Sequence, residues 1–439
     1  MKRFLVLVLV GLFSFNAFSQ DDSAKMQRIS PIQISFVPYF SFNPVSGADA
    51  VCVSINCIGG YVPAVAAFEV GGVFNIVKSD VNGAQVAGVS NFIGGNVVGV
   101  QIAGVSNVSK NVRGSQISGV VSFNRQSVVG SQVSGVASIT GGRVEGIQIA
   151  GVSNVMVDKG GDSSVVKVQQ ITGVSNVAVS SIMGVQVAGV SNVSKDMTGA
   201  GVAGVSNTSR NLFGCQVAGV TNQAFGKANG TQVAGVANVA NEIKGSQVAG
   251  VVNVARKVDG VQVGVVNIAD TLNGVAIGLV NLSRNGIRQF EVSTDEKYNV
   301  NLAFRSGAKK LHGILLLGVD PSTLDAPIWA FGYGLGTTFE YNERLSFDLD
   351  VSSQQYYKRW DSDWHNQLYK IYFGVDRKLA SKLSIAAGLT ANLQYVGSDQ
   401  SQNHKYFSDY APYKIAKTKW PSGRELNFWI GGKVAIRFF

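Results

Sequence analysis

Two carboxylates in this sequence have the spacing of a catalytic pair. Asp348 and Asp350 would lie on one face of a β-strand, where neighbouring carboxylates could act as general acid and general base. Among the cations of the same region, Arg305, Lys433 and Arg437 are the candidates to pair with them. Because buried charges require partners, we interpret the two aspartates as ion-pair partners of these cations inside a small barrel.

The other residues that could do chemistry are too scattered to form a site. His312, His365 and His404 are far apart, and the last two fall in segments with the composition of loops. The sequence contains no HExxH motif, phosphate-binding P-loop, nucleophile elbow or metal-spaced set of Cys and His. We therefore predict that the protein is not an enzyme and has no catalytic, cofactor-binding or metal-binding residues.

The beginning of the chain has the pattern of a secretory signal peptide. Two cations precede an apolar run, and the small residues Ala17 and Ser19 lie just before Gln20, which predicts removal of residues 1–19 on export. In an exported chain Cys52 and Cys57 could form a disulfide, or all three cysteines, including Cys215, could be small buried residues. No later segment has the length of apolar sequence that a transmembrane helix needs, so any membrane crossing would use strands.

The composition narrows the class of protein further. Only 15% of the 439 residues are charged, and 52 are Gly. The formal net charge of +10 comes from scattered cations, which argues against a nucleic-acid partner.

A repeat rich in amides dominates the first two thirds of the chain. Units such as GVQVAGVSNV return every 15 or 16 residues, with a Gln slot and, six positions later, an Asn slot. The Gln slot holds Gln85, Gln101, Gln116, Gln132, Gln148, Gln170, Gln186, Gly201, Gln216, Gln232, Gln247, Gln262 and Ala276. The Asn slot holds Asn91, Asn107, Asn154, Asn176, Asn192, Asn207, Asn222, Asn238 and Asn253, with Ser122 and Ser138 in two units and Asn267 and Asn281 one residue early. A weaker unit with Glu69 in the Gln slot precedes them, and one unit contains a polar insertion at 158–164.

The repeat predicts a β-solenoid. Val, Gly, Asn and Ser are poor helix formers, and the period suits one coil of short strands lying about 4.8 Å from the next. Stacking places each buried amide on its own copy, which satisfies donors and acceptors along a ladder. A Gly two residues before nearly every Gln, together with the polar patch after the Asn, would supply turns. The alternative is one membrane strand per unit, but residues 77–285 contain only four aromatic side chains for interface girdles.

These units resemble the bacterial cell-envelope surface repeat proteins. The resemblance rests on GVQVAGVSNV and on the segments IQISFVP (32–38) and FEVGGVFNIV (68–77), and it covers the chain from about 30 to 285. It implies an envelope location and a repeat architecture, and it brings no catalytic residues. The family's name implies exposure at the cell surface.

The last 150 residues have a different pattern, which predicts an outer-membrane β-barrel. All five Trp and eleven of the thirteen Tyr lie beyond residue 290, and long segments alternate apolar residues with small or charged ones. The expected strands lie near 286–294, 297–306, 309–319, 328–340, 344–357, 366–378, 382–396 and 425–438. A soluble β-sandwich with one buried face is the alternative.

The whole chain is therefore predicted to be all-β, with a repeat β-solenoid followed by a small antiparallel barrel of about eight strands. The predicted parts are a signal peptide (1–19), an N-terminal lead-in (20–68), the solenoid (69–285) and the barrel (286–439).

The predicted function is that of a non-enzymatic envelope protein with a structural or binding role, anchored in the outer membrane by its barrel. Outer-membrane lipid is the expected partner, together with an envelope protein or polysaccharide. Connections after the third, fifth and seventh barrel strands are long and would face outward, which predicts a periplasmic solenoid, contrary to the family's name. The alternative function is an outer-membrane channel in which the repeats contribute barrel strands.

Overall fold

The computed structural model describes residues 28–42, 47–158, 165–320, 328–358, 366–397 and 411–439. The predicted signal peptide, His365 and His404 lie outside the described residues. Among the described residues no helix is long and apolar enough to cross a membrane. The chain divides into two compact units, one ending at Gly135 and the other beginning at Val136.

The unit that ends at Gly135 is a stack of parallel β-coils. Its strands are β1 (Ile29–Val37), β2 (Phe40–Ser41), β3 (Ala50–Asn56), β4 (Gly59–Val62), β5 (Val65–Gly71), β6 (Phe74–Val77), β7 (Val81–Ala87), β8 (Ser90–Ile93), β9 (Val97–Ala103), β10 (Ser106–Ser109), β11 (Val112–Ser118), β12 (Val121–Asn124) and β13 (Val128–Ser134). The long strand of each coil carries the Gln slot and the short strand carries the Asn slot, and each pairs in parallel with its equivalent in the next coil. The stack already begins at β1, within the segment predicted to be a lead-in, because β1 pairs in parallel with β3 and β3 with β5.

The second unit contains further coils and then the barrel. Its coil strands are β14 (Ala137–Thr140), β15 (Val144–Ala150), β16 (Ser153–Met156), β17 (Val165–Thr172), β18 (Ser175–Ala178), β19 (Ser181–Ala188), β20 (Ser191–Ala203), β21 (Ser206–Ala218), β22 (Thr221–Ala234), β23 (Ala237–Ala249), β24 (Val252–Val263), β25 (Val266–Leu272), β26 (Val275–Ile277) and β27 (Val280–Ser283). The register is the one that the sequence repeat predicts, since Gln216 pairs with Gln232 and Asn207 with Asn222. The β-solenoid prediction is confirmed.

The predicted position of the turns was partly wrong. The Gly two residues before the Gln lies inside a strand, as Gly214 does in β21, and the bend after the Gln falls at the next Gly, for example Gly219. In β20 to β24 the polar patch is also strand. Gly is required at 214 because its φ is +134° and because an added Cβ would lie 2.0 Å from the carbonyl oxygen of Gly199 in the coil below.

The barrel follows directly after the last coil. Its strands are β28 (Ile287–Asp295), β29 (Val300–Ala308), β30 (Leu311–Asp320), β31 (Ile328–Glu340), β32 (Leu345–Lys358), β33 (Gln367–Ala380), β34 (Leu383–Val396), β35 (Ala416–Lys419) and β36 (Glu425–Phe438). Neighbouring strands are antiparallel, and β36 pairs with both β34 and β28, which closes a barrel of eight strands. The short strand β35 pairs with the first residues of β36, which β28 does not reach. The eight predicted strands are therefore confirmed. The sandwich alternative is wrong because the sheet closes, and the repeats are not barrel strands because they pair in parallel within the stack.

The barrel has an apolar outer face and a polar interior. Phe331 and Leu389 point outward and are 61% and 66% exposed, whereas the alternating residues Ala330 and Thr390 are buried. This is the reverse of a soluble protein, in which large apolar side chains are normally covered.

The last coil packs against the outer face of this barrel. The backbone N–H of Asn281 donates to Oγ of Ser306 at 3.1 Å, and Oη of Tyr333 donates to the carbonyl oxygen of Gly278 at 3.1 Å. Asn281 and Gly278 belong to the terminal rung of the stack, while Ser306 and Tyr333 belong to the outward set of barrel residues. The barrel wall thus covers the edge of the last coil, whose backbone N–H and C=O groups would otherwise have no next coil to pair with.

The two ends of the barrel differ in the length of their connections. At the end that holds Ile287, which we call the turn end, the connections are 309–310, 341–344 and 381–382, and the last strand also finishes there. At the opposite loop end the connections are 296–299, 321–327, 359–366 and 397–424, the last of which contains β35. The last coil joins the barrel at the turn end.

The close stacking of coils predicts different costs for two Gly substitutions in neighbouring coils. Gly214→Ala should destabilise the protein by about 2–3 kcal/mol or more, because the new Cβ would collide with backbone at a positive φ. Gly201→Ala should cost clearly less, because its nearest contacts would be side chains at 3.1 and 3.2 Å. Denaturant unfolding of both variants measures the difference, and equal midpoints would contradict this packing argument.

Candidate functional site: amide ladders and the barrel interior

The twenty Gln and Asn residues predicted to form ladders are all buried. Each has a relative exposure of at most 2%, although an amide side chain is normally found at the surface. Burial of so many amides is possible only if their hydrogen-bonding groups are satisfied inside the stack.

The Asn residues form a ladder that runs along the stack. Nδ2 of Asn192 donates to Oδ1 of Asn207 at 2.9 Å, and Asn207 donates in the same way to Asn222. The second Nδ2 proton goes to a backbone carbonyl, which for Asn192 is that of Val202 at 2.8 Å. Equivalent bonds connect every Asn from Asn154 to Asn281, and the insertion at 158–164 does not interrupt them, since Asn154 still donates to Asn176.

The Gln residues form a second ladder with the opposite direction of donation. Nε2 of Gln247 donates backward to Oε1 of Gln232 at 2.9 Å, and Gln262 donates backward to Gln247 at 2.8 Å. The Asn ladder donates toward the C-terminus and the Gln ladder toward the N-terminus.

The Gln ladder is interrupted where the slot holds another residue. Gly201 occupies the slot above Gln186, and Oε1 of Gln186 has no hydrogen-bond partner among the described residues. The sulfur of Met197 lies 3.2 Å from where a Cβ of Gly201 would be, so this buried side chain occupies part of the space. Gln262, below Ala276, likewise has an Oε1 without a partner in the described chain.

In the unit that ends at Gly135, a carboxylate ends the run of Gln residues on its N-terminal side. Glu69 accepts hydrogen bonds from Gln85 at 2.8 Å and from Asn56 at 3.0 Å. Asn56 also donates to Asn75 at 2.9 Å and so takes the place of the Asn that is missing at Gly60. Burial raises the pKa of the Glu69 carboxyl from 4.5 to about 7, although hydrogen bonds from Gln85, Asn56 and Ser54 act in the opposite direction.

The barrel interior near the turn end is filled by ion pairs. Arg305 contacts both oxygens of Asp350, at 2.5 and 3.0 Å, and Arg437 contacts Asp348 and Asp376. Both predicted aspartates therefore pair with predicted cations, and the interpretation of Asp348 and Asp350 as ion-pair partners is confirmed.

Two acidic members of this cluster, Asp376 and Glu291, were missed in the sequence. Glu291 accepts from Lys433 at 2.8 Å and from Nε of Arg437 at 2.7 Å. The signal was present, because Gln289, Glu291 and Ser293 alternate with the outward Phe290 and Val292.

The barrel interior near the loop end is also filled. Glu296, from the short connection after β28, turns inward and accepts from Nε1 of Trp429 at 2.9 Å and from Asn392 at 2.7 Å. Tyr298, Tyr356 and Trp429 form a buried cluster with neighbouring apolar side chains. The interior pocket lined by residues such as Glu291 and Lys370 offers about 30 Å³ to the centres of water molecules, which is room for only a few waters.

The remaining candidate residues do not come together. His312 is buried and its Nε2 lies 2.8 Å from Nη2 of Arg305. Cys52, Cys57 and Cys215 are free thiols. Among the residues that the structure describes, no cluster of His, Cys, Asp and Glu could hold a metal ion.

Comparison with protein-family models, curated proteins and solved structures finds no match for this chain. The resemblance to the surface repeat family therefore stays a prediction.

The break at Gly201 predicts unequal effects of two neighbouring substitutions in the Gln ladder. Gln170 is bonded on both sides, to Gln148 and to Gln186, so Gln170→Leu should strand two buried polar groups. At about 1–3 kcal/mol for each stranded group, this change should cost more than Gln186→Leu, which strands only Oε1 of Gln170. Denaturant unfolding measures both.

A second pair of positions serves as the control for this ordering. Gln247 has partners above and below, whereas Gln262 has one only below. Gln247→Leu should again cost more than Gln262→Leu. Equal losses at both pairs of positions would show that the amides are not coupled along the column.

The raised pKa of Glu69 predicts a pH-dependent stability. Folding favours the protonated carboxyl, so its contribution is complete below pH 4.5, is lost as the pH rises through about 7, and is constant above that. The loss should be on the order of 3 kcal/mol. Unfolding of the wild type and of Glu69→Gln between pH 4 and 8 measures it. The wild type should lose stability relative to the variant as the pH rises across this range, and parallel profiles would refute the assignment to Glu69.

Proposed function

We propose that the barrel spans the outer membrane and anchors the solenoid there. The observation that carries this proposal is the reversed polarity of the barrel. Side chains such as Phe290, Phe331 and Leu389 are more than 60% exposed, while charged residues such as Glu291, Arg305 and Arg437 are buried. An apolar outer face of closed strands, each 9 to 14 residues long, fits a lipid surrounding.

The arrangement of connections supports a periplasmic solenoid. Outer-membrane barrels have short turns on the periplasmic side and longer loops outside. The last coil joins this barrel at the turn end, where the connections are two to four residues long. The solenoid and the C-terminus would then share the periplasmic side.

The proposed role of the solenoid is structural or binding rather than catalytic. The carboxylates that could have formed an acid–base pair are engaged with Arg305 and Arg437. The proposed partners are outer-membrane lipid and an envelope protein or polysaccharide. The channel function is disfavoured because ion pairs fill the interior at one end and the Glu296 connection with its aromatic neighbours fills it at the other.

Reconstitution tests the anchor. The purified full-length protein, refolded into liposomes, should migrate differently on SDS gels before and after heating, as a folded membrane barrel does, and should produce no discrete conductance steps in planar bilayers. Absence of membrane insertion would refute the anchor, and regular open-channel steps would replace it with the channel function.

Thiol labelling of intact cells tests the orientation. Cys52, Cys57 and Cys215 are first replaced by Ala, and a single Cys is then placed at Arg210, whose side chain is 60% exposed, or at Ser401, which lies outside the described residues. An impermeant reagent should label Ser401→Cys in intact cells and Arg210→Cys only after the outer membrane is permeabilised. The reverse pattern would place the solenoid at the cell surface.

A further inference from the structure

One side of every coil carries no charge. In each of the thirteen coils that start at the slots from Gln85 to Ala276, the first eight residues contain no Asp, Glu, Lys or Arg. The charged residues of these coils are confined to the polar patch that follows. A water-exposed solenoid has no reason to keep half of its circumference free of charge through so many repeats.

The uncharged side exposes continuous apolar stripes. In the unit that contains the barrel, one stripe consists of the residue after the Gly that follows the Gln slot, and its members are 39–48% exposed. They are Val152, Val174, Val190, Val205, Val220, Val236, Val251, Val265 and Leu279. A second stripe runs beside it through the residue that follows the Gln slot, including Ile171, Val202, Val217, Val233, Val248 and Ile277. Because stacked coils are about 4.8 Å apart, the stripes form one continuous apolar surface along the stack, and a continuous apolar surface marks a site of contact with a protein or a membrane.

Both stripes begin at the wall of the barrel. Gly278, which accepts the hydrogen bond from Tyr333, lies between Ile277 and Leu279, the last members of the two stripes. Tyr333 belongs to the outward set of β31, between the exposed residues Phe331 and Leu335. The apolar side of the solenoid is therefore continuous with the outer face of the barrel.

We infer that the striped side of the solenoid lies on the membrane beside the barrel and binds lipid directly. The inference rests on the proposed function, because it needs the barrel to be in the membrane. Lipid is favoured over a second copy of the chain because the stripes start at the face of the barrel that lipid would surround. The polar patch would then face away from the bilayer, as in an amphipathic element that lies in the membrane interface.

Depth-dependent fluorescence quenching tests this inference on the full-length protein in liposomes. Single cysteines labelled with bimane are placed at Val205 and Val236 in the stripe, at Leu389 on the barrel and at Lys227 in the polar patch, after Cys52, Cys57 and Cys215 are replaced by Ala. Lipids brominated near the headgroup end of their acyl chains serve as quenchers, because an interfacial element is buried by roughly 5–10 Å. The labels at 205, 236 and 389 should lose most of their fluorescence, and the label at 227 should keep it.

The outcomes separate the inference from the proposed function. Quenching at 389 without quenching at 205 and 236 would overturn the lipid contact and leave the membrane anchor intact. Protection of 205 and 236 from aqueous iodide without quenching by lipid, together with cross-linking between chains, would assign the stripes to a second copy and overturn the inference. No quenching at 389 would refute the anchor and the lipid contact together.

A variant with charges in the stripe, compared with one that has a changed charge in the polar patch, tests which side of the solenoid binds lipid. Val205→Asp combined with Val236→Asp should abolish lipid quenching of a label at Val220→Cys, while Lys227→Asp in the polar patch should leave it unchanged. The heat-dependent gel shift of the barrel should be the same in both variants. Retained quenching at 220 in the double variant would contradict binding through the stripe.

Discussion

The hydrogen bond between an Asn amide and the same amide in the next coil is the constraint on which the solenoid depends. A coil of about fifteen residues is too narrow to enclose an apolar core of ordinary size. Beside small apolar residues such as Val97 and Ala103, its interior holds amides that must find partners within the stack. Only the copy one coil away is placed to satisfy Asn192 or Asn207 on both sides. The bond thereby fixes residue type, register and coil length at once, and an insertion is accepted only where it leaves the inner strands in place, as between Asn154 and Asn176.

The barrel solves the same problem of buried polar groups in a different way. The interior of the barrel is wider and holds charged side chains. These buried groups find their partners in ion pairs such as Arg305 with Asp350 and Lys433 with Glu291. Buried ion pairs are poor sources of net stability but are costly to break. An interior of this kind specifies how the strands are aligned, while the apolar outer face supplies the affinity for lipid that the proposed membrane location requires.

The sequence predicted those features that a repeated or alternating pattern encodes. The Gln and Asn slots, the parallel register and the eight barrel strands all follow from periodicity, and Asp348 and Asp350 follow from the need to neutralise buried charge. Contacts that no repeat, alternation or need for charge neutralisation encodes were not predictable. Glu296 reaches Trp429 across 133 positions, and Asn56 replaces the amide missing at Gly60 from a different place in the coil. Gly214 was expected in a turn because Gly is common in turns. It lies inside a strand because Gly is also needed where two stacked backbones approach each other closely.

The opposite directions of the two amide ladders have an electrostatic consequence. Aligned amide groups add their dipoles, which is why an α-helix carries partial charges at its ends. Here the Asn amides donate toward the C-terminus and the Gln amides toward the N-terminus, so the two columns oppose each other along the same axis. Each added coil then brings almost no net side-chain dipole. A run of coils can therefore be lengthened without building up a field at its ends, which leaves evolution free to change the number of repeats without changing how the ends interact with charged surroundings.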